Sequence, residues 1–177
     1  RMHKYNSTSE WEELSTSTVD ITNNIVSSGL VTTFSTFAPL GNTTTTCGTI
    51  TTNTTLTNDI TTTGTCFTIG ADNITLDGNG FTITGDTTGF GVNNTDSYNN
   101  TIIKNFGNIS NFSTGVYGED AINFTIFNNT ISFDDTGSFH EGIYIAGESN
   151  FTNISDNSIT TYAGSTSFPI YFLANSF

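Results

Sequence analysis

Positive charge is almost missing from this chain. Three Lys and Arg residues (Arg1, Lys4, Lys104) face sixteen Asp and Glu, for a formal net charge of −13. That balance argues against a nucleic-acid partner, since nothing is available to neutralise a run of phosphates. Long apolar runs are missing too. None approaches the roughly 18–20 residues that cross a bilayer, so no membrane span is expected. Cysteine and histidine occur twice each. With only His3 and His140 as partners for Cys47 and Cys66, no metal centre of the zinc type is expected. The opening RMHKYNSTSE is no leader peptide and reads as a mature chain or a fragment.

Polar positions are filled instead by Thr, Ser, Asn and Gly, while 15 Phe and a regular supply of Ile provide a core. The stretch Cys66–Gly85, CFTIGADNITLDGNGFTITG, holds three short alternating runs, Phe67–Ile69, Ile74–Leu76 and Phe81–Ile83, separated by small polar turns. Three strands and three turns in about two dozen residues make the unit of a parallel β-helix.

The unit recurs from Cys47 onward. Cys47-Gly48-Thr49-Ile50 returns as Cys66-Phe67-Thr68-Ile69, and the Ile69 position returns at Val92, Val116, Ile143 and Ile170. A second column is read as Leu56, Leu76, Ile102, Ile126 and Ile154. A third runs Phe81, Gly107, Ile131 and Ile159, followed two residues later by Ile83, Ile109, Phe133 and Thr161. Asn79, Asn105, Asn129 and Asn157 each follow the second column by three residues. Coils stack about 4.8 Å apart, so these asparagines are expected to form a turn ladder that passes amide hydrogen bonds from coil to coil.

Residues 1–46 do not follow the repeat. Ser9-Glu10-Trp11-Glu12 has the form of a capping box, which predicts one or two helical turns ending near Leu14. The rest of the segment reads as strand and loop. It serves either as a cap on the first coil or as an assembly arm that docks on a neighbour.

The segments Cys47–Gly85, NNTIIKNFG, NFTIFNNTIS and NFTNISDNSIT resemble the right-handed parallel β-helix repeat of pectate-lyase-like and NosD-type proteins. Many large archaeal and bacterial surface proteins carry this repeat. The resemblance implies an all-β, single-stranded right-handed solenoid over 47–177, of about five coils with the last incomplete. The fold hosts lyases, hydrolases, adhesins and scaffolds, so it leaves function open.

Several positions carry chemistry in prospect. Cys47 and Cys66, one coil apart, are expected either to form a disulfide or to remain two buried thiols. Asp134, Asp135, His140 and Glu141 in one long loop, and Asn94-Thr95-Asp96, have some letters of a polygalacturonase-like site. The Gly-His-Gly and Arg-Ile-Lys motifs of such enzymes are not matched, and Lys104 is a poor lyase base. No catalytic set is therefore expected. Glu119-Asp120 and Asp134-Asp135 are weak calcium candidates.

Tyr117, Tyr144 and Tyr171 recur at a constant step and are expected to form an outward row. It would serve sugar stacking, a protein interface or simple stiffening. Glycosylation sequons begin at Asn6, Asn42, Asn53, Asn73, Asn93, Asn99, Asn108, Asn111, Asn123, Asn128, Asn150 and Asn153. Asn53, Asn73, Asn99, Asn123 and Asn150 are expected to stack as one column, either partly glycosylated or as a second turn ladder. Fuller modification is expected at the loop sequons Asn93, Asn108 and Asn111.

These features point to a secreted, cell-surface glycoprotein that is a subunit of a filament, sheath or layer joined end to end. The alternative is a carbohydrate-binding or polysaccharide-cleaving protein.

Overall fold

The computed structural model describes residues 44–133, 139–161 and 167–173. It also describes 2–5, 11–13, 18–20, 25–27 and 37–39 as strand backbone. Among the described residues there is no helix. The chain divides into two compact units, Arg1–Thr43 and Thr44–Phe177.

In the first unit, β1 (Met2–Tyr5), β2 (Trp11–Glu13) and β5 (Phe37–Pro39) form an antiparallel sheet, and β3 (Thr18–Asp20) pairs with β4 (Ile25–Ser27). The expected helical turns are therefore corrected. Trp11–Glu13 is a strand whose residues lie opposite Tyr5, Lys4 and His3, while Ser9 and Glu10 fall outside the described residues. Pairing with β1 outweighs a local capping pattern, which contributes only about 1 kcal/mol.

The second unit is a parallel β-solenoid. Its strands follow as β6 (Gly48–Ile50), β7 (Thr54–Thr55) and β8 (Ile60–Thr61), then β9 (Phe67–Ile69), β10 (Thr75–Asp77) and β11 (Thr82–Thr84). The next coils are β12 (Phe90–Asn94), β13 (Ile102–Lys104) and β14 (Asn108–Ser110), then β15 (Thr114–Glu119), β16 (Thr125–Phe127) and β17 (Thr130–Ser132). Last come β18 (Glu141–Ala146), β19 (Asn153–Ser155), β20 (Ser158–Thr160) and β21 (Phe168–Leu173). Every third strand pairs with the next, giving sheet I (β6-β9-β12-β15-β18-β21), sheet II (β7-β10-β13-β16-β19) and sheet III (β8-β11-β14-β17-β20). Because side chains alternate along a strand, one inward residue per short strand suffices to fill the interior.

The inward columns match the sequence only in part. In sheet I, Val92, Val116, Ile143 and Ile170 stack as expected. Val92, however, sits on Phe67 rather than Ile69, so Ile69 lies level with Asn94. In sheet II, Leu76 pairs with Thr54 below and Ile103 above, not with Leu56 and Ile102; Ile126 and Ile154 continue that column. In sheet III the column is Ile60, Ile83, Ile109, Ile131 and Ile159; Phe81 and Gly107 belong to the preceding turn. The cause lies in that turn. It runs from Leu76 to Ile83 and from Ile103 to Ile109, but only from Ile126 to Ile131, so residues at a fixed offset leave register.

One core element has no hydrophobic signature. Gly91, Gly115 and Gly142 stack in sheet I, all inward and buried. A Cβ on Gly91 would lie 2.5 Å from Ile109 Cγ2, and one on Gly115 would lie 2.7 Å from Ile131 Cγ2. The glycine column thus makes room for the isoleucine column of sheet III. Core Phe112, Phe124 and Ile126 are completely buried, and each such side chain stabilises the fold by about 1.5–3 kcal/mol through burial.

Candidate functional site

The turn between sheets II and III carries the asparagine ladder, with one correction. Asn79, Asn129 and Asn157 share a role: each Nδ2 donates to a backbone carbonyl one coil below, of Leu56 (3.3 Å), Ile103 (3.2 Å) and Ile126 (2.8 Å). Asn129 Oδ1 accepts from the buried Phe106 N–H at 3.1 Å, and Asn157 Oδ1 accepts from the Asn129 N–H at 3.0 Å. Asn105 is not in this ladder; Phe106 occupies its place. Asn105 stands one residue earlier, in the left-handed conformation with Asn128 and Asp156 (φ 58°, 54° and 55°). Its amide donates to Asp77 (3.0 Å) and its oxygen accepts from Asn128 (2.9 Å). Asparagine tolerates that conformation better than most residues.

These side chains line a groove of about 420 Å³, whose walls include Asn79, Asn105, Asn128, Asn129 and Asp156. Beside Asn79 and Asn105, burial pushes the Asp77 carboxyl up. Hydrogen bonds from the Asn79 N–H and the Asn105 amide, with the Lys104 ammonium 3.2 Å away, outweigh burial and hold it below its ordinary value.

A second amide stack joins Asn73, Asn100 and Asn123. Asn100 donates to Asn73 (3.1 Å) and Asn123 to Asn100 (3.0 Å), all three with positive φ. The five sequon asparagines expected in one column are therefore split. Asn53 lies level with Thr75, two positions from Asn73's column, and accepts from the Thr75 N–H (2.8 Å), while Asn99 accepts from the Ile122 N–H (2.7 Å). Asn93 and Asn108, expected in loops, lie in β12 and β14. Asn108 and Asn128 commit Nδ2 to hydrogen bonds, whereas Asn150 and Asn153 are exposed. Asn111 follows β14 with a positive φ; Asn6 and Asn42 lie outside the described residues.

Cys47 and Cys66 are joined by a disulfide, Cα–Cα 4.6 Å, across adjacent coils. Asp134 and Asp135 lie outside the described residues. His140 is 1% exposed, stacks on Phe133 at 4.7 Å and donates from Nδ1 to the Phe112 carbonyl at 2.8 Å, so its ring is built into the core. Asn94 of the Asn94-Thr95-Asp96 triplet is completely buried and clamps the Tyr98 backbone, donating to its carbonyl (2.8 Å) and accepting from its N–H (3.1 Å). Asp120 accepts from the Glu148 N–H at 2.7 Å. Among the described residues, no group of three or more His, Cys, Asp or Glu is placed to hold a metal ion.

The outer face of sheet I carries the tyrosine row. Tyr117, Tyr144 and Tyr171 occupy consecutive rungs, with ring centroids 5.1 and 5.0 Å apart at 86° and 75°. Phe90 extends the row beside Tyr117 and Phe168 extends it beside Tyr171. The Tyr117 hydroxyl donates to Glu119 at 3.2 Å, and Glu141 accepts from the Thr114 hydroxyl at 3.0 Å. Burial, then the Glu119 carboxylate, pushes the Tyr117 phenol up to about 12; Tyr144 rises through burial, Tyr171 and Glu141.

The phenol shifts set a pH window. Above pH 10 an unfolded chain releases these protons while the folded chain keeps them. Stability is therefore full below pH 10 and falls as pH rises toward about 12. In an ultraviolet titration, at least one of the 6 tyrosines should ionise well after the rest. A single transition near the ordinary value would contradict this environment.

No family model, no curated protein sequence and no solved structure matches this chain.

Proposed function

We propose that this chain is an extracellular structural protein: a glycosylated subunit of a cell-surface filament, sheath or layer, assembled through solenoid ends. One observation carries the reading. Ile170 belongs to the column of Val92, Val116 and Ile143, each completely buried, yet it is 41% exposed. Its neighbours on β21, Phe168, Phe172 and Leu173, are exposed as well. Among the described residues β21 pairs with β18, and its other edge, beside apolar side chains, is suited to pair with a further strand. The sequons add support for secretion and surface display in the manner of right-handed β-helix surface proteins.

Sedimentation of the protein over a range of concentrations tests this. Association should grow with concentration and be largely lost in Ile170→Asp and Phe172→Asp, with unfolding midpoints nearly unchanged because both side chains are already partly in water. Concentration-independent monomers, or variants that associate like the parent, would overturn the proposal.

A second reading, carbohydrate binding or cleavage, draws on the half-buried tyrosine row. It requires a glycan ligand, or a turnover that Asp135→Asn removes.

A further inference from the structure

The tyrosine face is a separate surface from the β21 edge that the assembly proposal uses, and its chemistry is specific. Tyr117, Tyr144 and Tyr171 meet edge to face. A sugar ring stacks best on a flat aromatic platform, and rings turned 86° and 75° to one another do not provide one. Carboxylates adjoin the row: Glu119 accepts from the Tyr117 hydroxyl, and Glu141 stands on the same strand as Tyr144, level with Thr114. Acidic glycans and anionic surfaces are repelled by such a face. The Thr114 hydroxyl satisfies one Glu141 oxygen, and the chain's single described ion pair, Lys104–Asp77, lies on sheet II. Among the described residues, then, this face is aromatic and acidic with no cation of its own.

A side chain complementary to both features is the guanidinium of arginine or the ammonium of lysine. Such a cation is attracted to an aromatic ring face and pairs with a carboxylate. Phenols are neutral through the physiological range, so the face holds one charge pattern there. The rungs repeat about every 4.8 Å and alternate residues of an extended peptide about every 6.6–7 Å. An extended segment laid along the row falls out of step by about 2 Å per ring, a gap that the long, flexible arginine and lysine side chains span, so basic groups on alternate residues reach neighbouring rings.

We infer that the outer face of sheet I, centred on Tyr117, Tyr144, Glu119 and Glu141, is a docking surface for an extended, arginine- or lysine-rich polypeptide segment. The rings hold the cationic groups and the two carboxylates pair with them. A net charge of −13 on the chain steers the basic partner toward the molecule, while the aromatic row localises it.

Calorimetric titration of the full chain with a tetra-arginine peptide at physiological salt tests the inference. Saturable binding is expected. It should weaken at least tenfold in Glu141→Gln and in Tyr144→Leu, and persist in Tyr144→Phe, which keeps the ring. Asp156→Asn, an exposed acid on the turn between sheets II and III, makes the same charge change elsewhere and should leave affinity unchanged. Undetectable binding would overturn the inference. So would equal losses in Asp156→Asn and Glu141→Gln, which would mean unlocalised attraction to an acidic protein. Retention of full affinity in Tyr144→Leu, or displacement of the peptide by a neutral oligosaccharide, would likewise refute it. None of these results depends on whether β21 mediates assembly.

Discussion

Asn129→Ala should destabilise the solenoid by about 2–5 kcal/mol, although it removes only a small polar side chain. Asn129 is 2% exposed and serves two buried backbone groups. Its amide donates to the Ile103 carbonyl, and its oxygen accepts from the Phe106 N–H. Alanine strands both. Each buried group left without a partner costs on the order of 1–3 kcal/mol. Asn157, which bonds Asn129 from the coil above, loses a partner as well.

Asn105→Gly is the informative comparison. That side chain is half-buried, its partners Asp77 and Asn128 can turn to solvent, and glycine accepts its φ of 58° without strain. A change within about 1 kcal/mol is expected. Urea unfolding of the two variants decides the matter. If Asn105→Gly proves the costlier, the ladder has been assigned to the wrong residues.

Gly115→Val should be the most damaging change on sheet I. A Cβ at this position would lie 2.6 Å from the Gly142 carbonyl oxygen and 2.7 Å from Ile131 Cγ2. One contact is backbone of the next coil and the other is a completely buried core side chain, so neither has room to withdraw. Even alanine should cost about 1–3 kcal/mol by overpacking, and valine more. Gly80→Ala provides the contrast. Nothing lies within 4 Å of a Cβ there, and the penalty is the left-handed φ of 80° alone, about 1–2 kcal/mol. Thermal unfolding in which Gly115→Val melts at the parental temperature would mean that the three-glycine column does not separate sheets I and III as described.

These two residues also mark where the sequence was legible and where it was not. The period-2 alternation of β9, β10 and β11, and the recurrence of Val92, Val116, Ile143 and Ile170, revealed the parallel solenoid because burial demands an apolar residue at each inward site. Register between columns was harder to read, because turn length changes from coil to coil. Asn129 and Asn157 were recognisable from their offset. Asn105 was a false match: the inward residue of its strand is Ile103 rather than Ile102, and three residues on from Ile103 stands Phe106. The Ile69 column breaks because Asn94 occupies the next inward site, its polarity satisfied by the Tyr98 backbone.

The glycine column gave no periodic apolar signal at all, since its role is to leave space empty. At the surface, the tyrosine step was plain in the sequence. The edge-to-face geometry and the carboxylates beside it were not, because Glu119 and Glu141 reach the row from different rungs. The capping pattern at Ser9–Glu12 misled because it is short and local, whereas β2 is fixed by pairing with β1.

The most direct test of the structural role is electron microscopy of the native protein, with intact mass measured on the same sample. Solenoids joined through the β21 edge should appear as regular filaments or sheets, with density repeating at about 4.8 Å along the solenoid axis. Their mass should exceed 19.0 kDa per chain in steps the size of hexoses. A uniform population of single particles at the unmodified mass would contradict both the assembly and the glycosylation on which the proposed function rests.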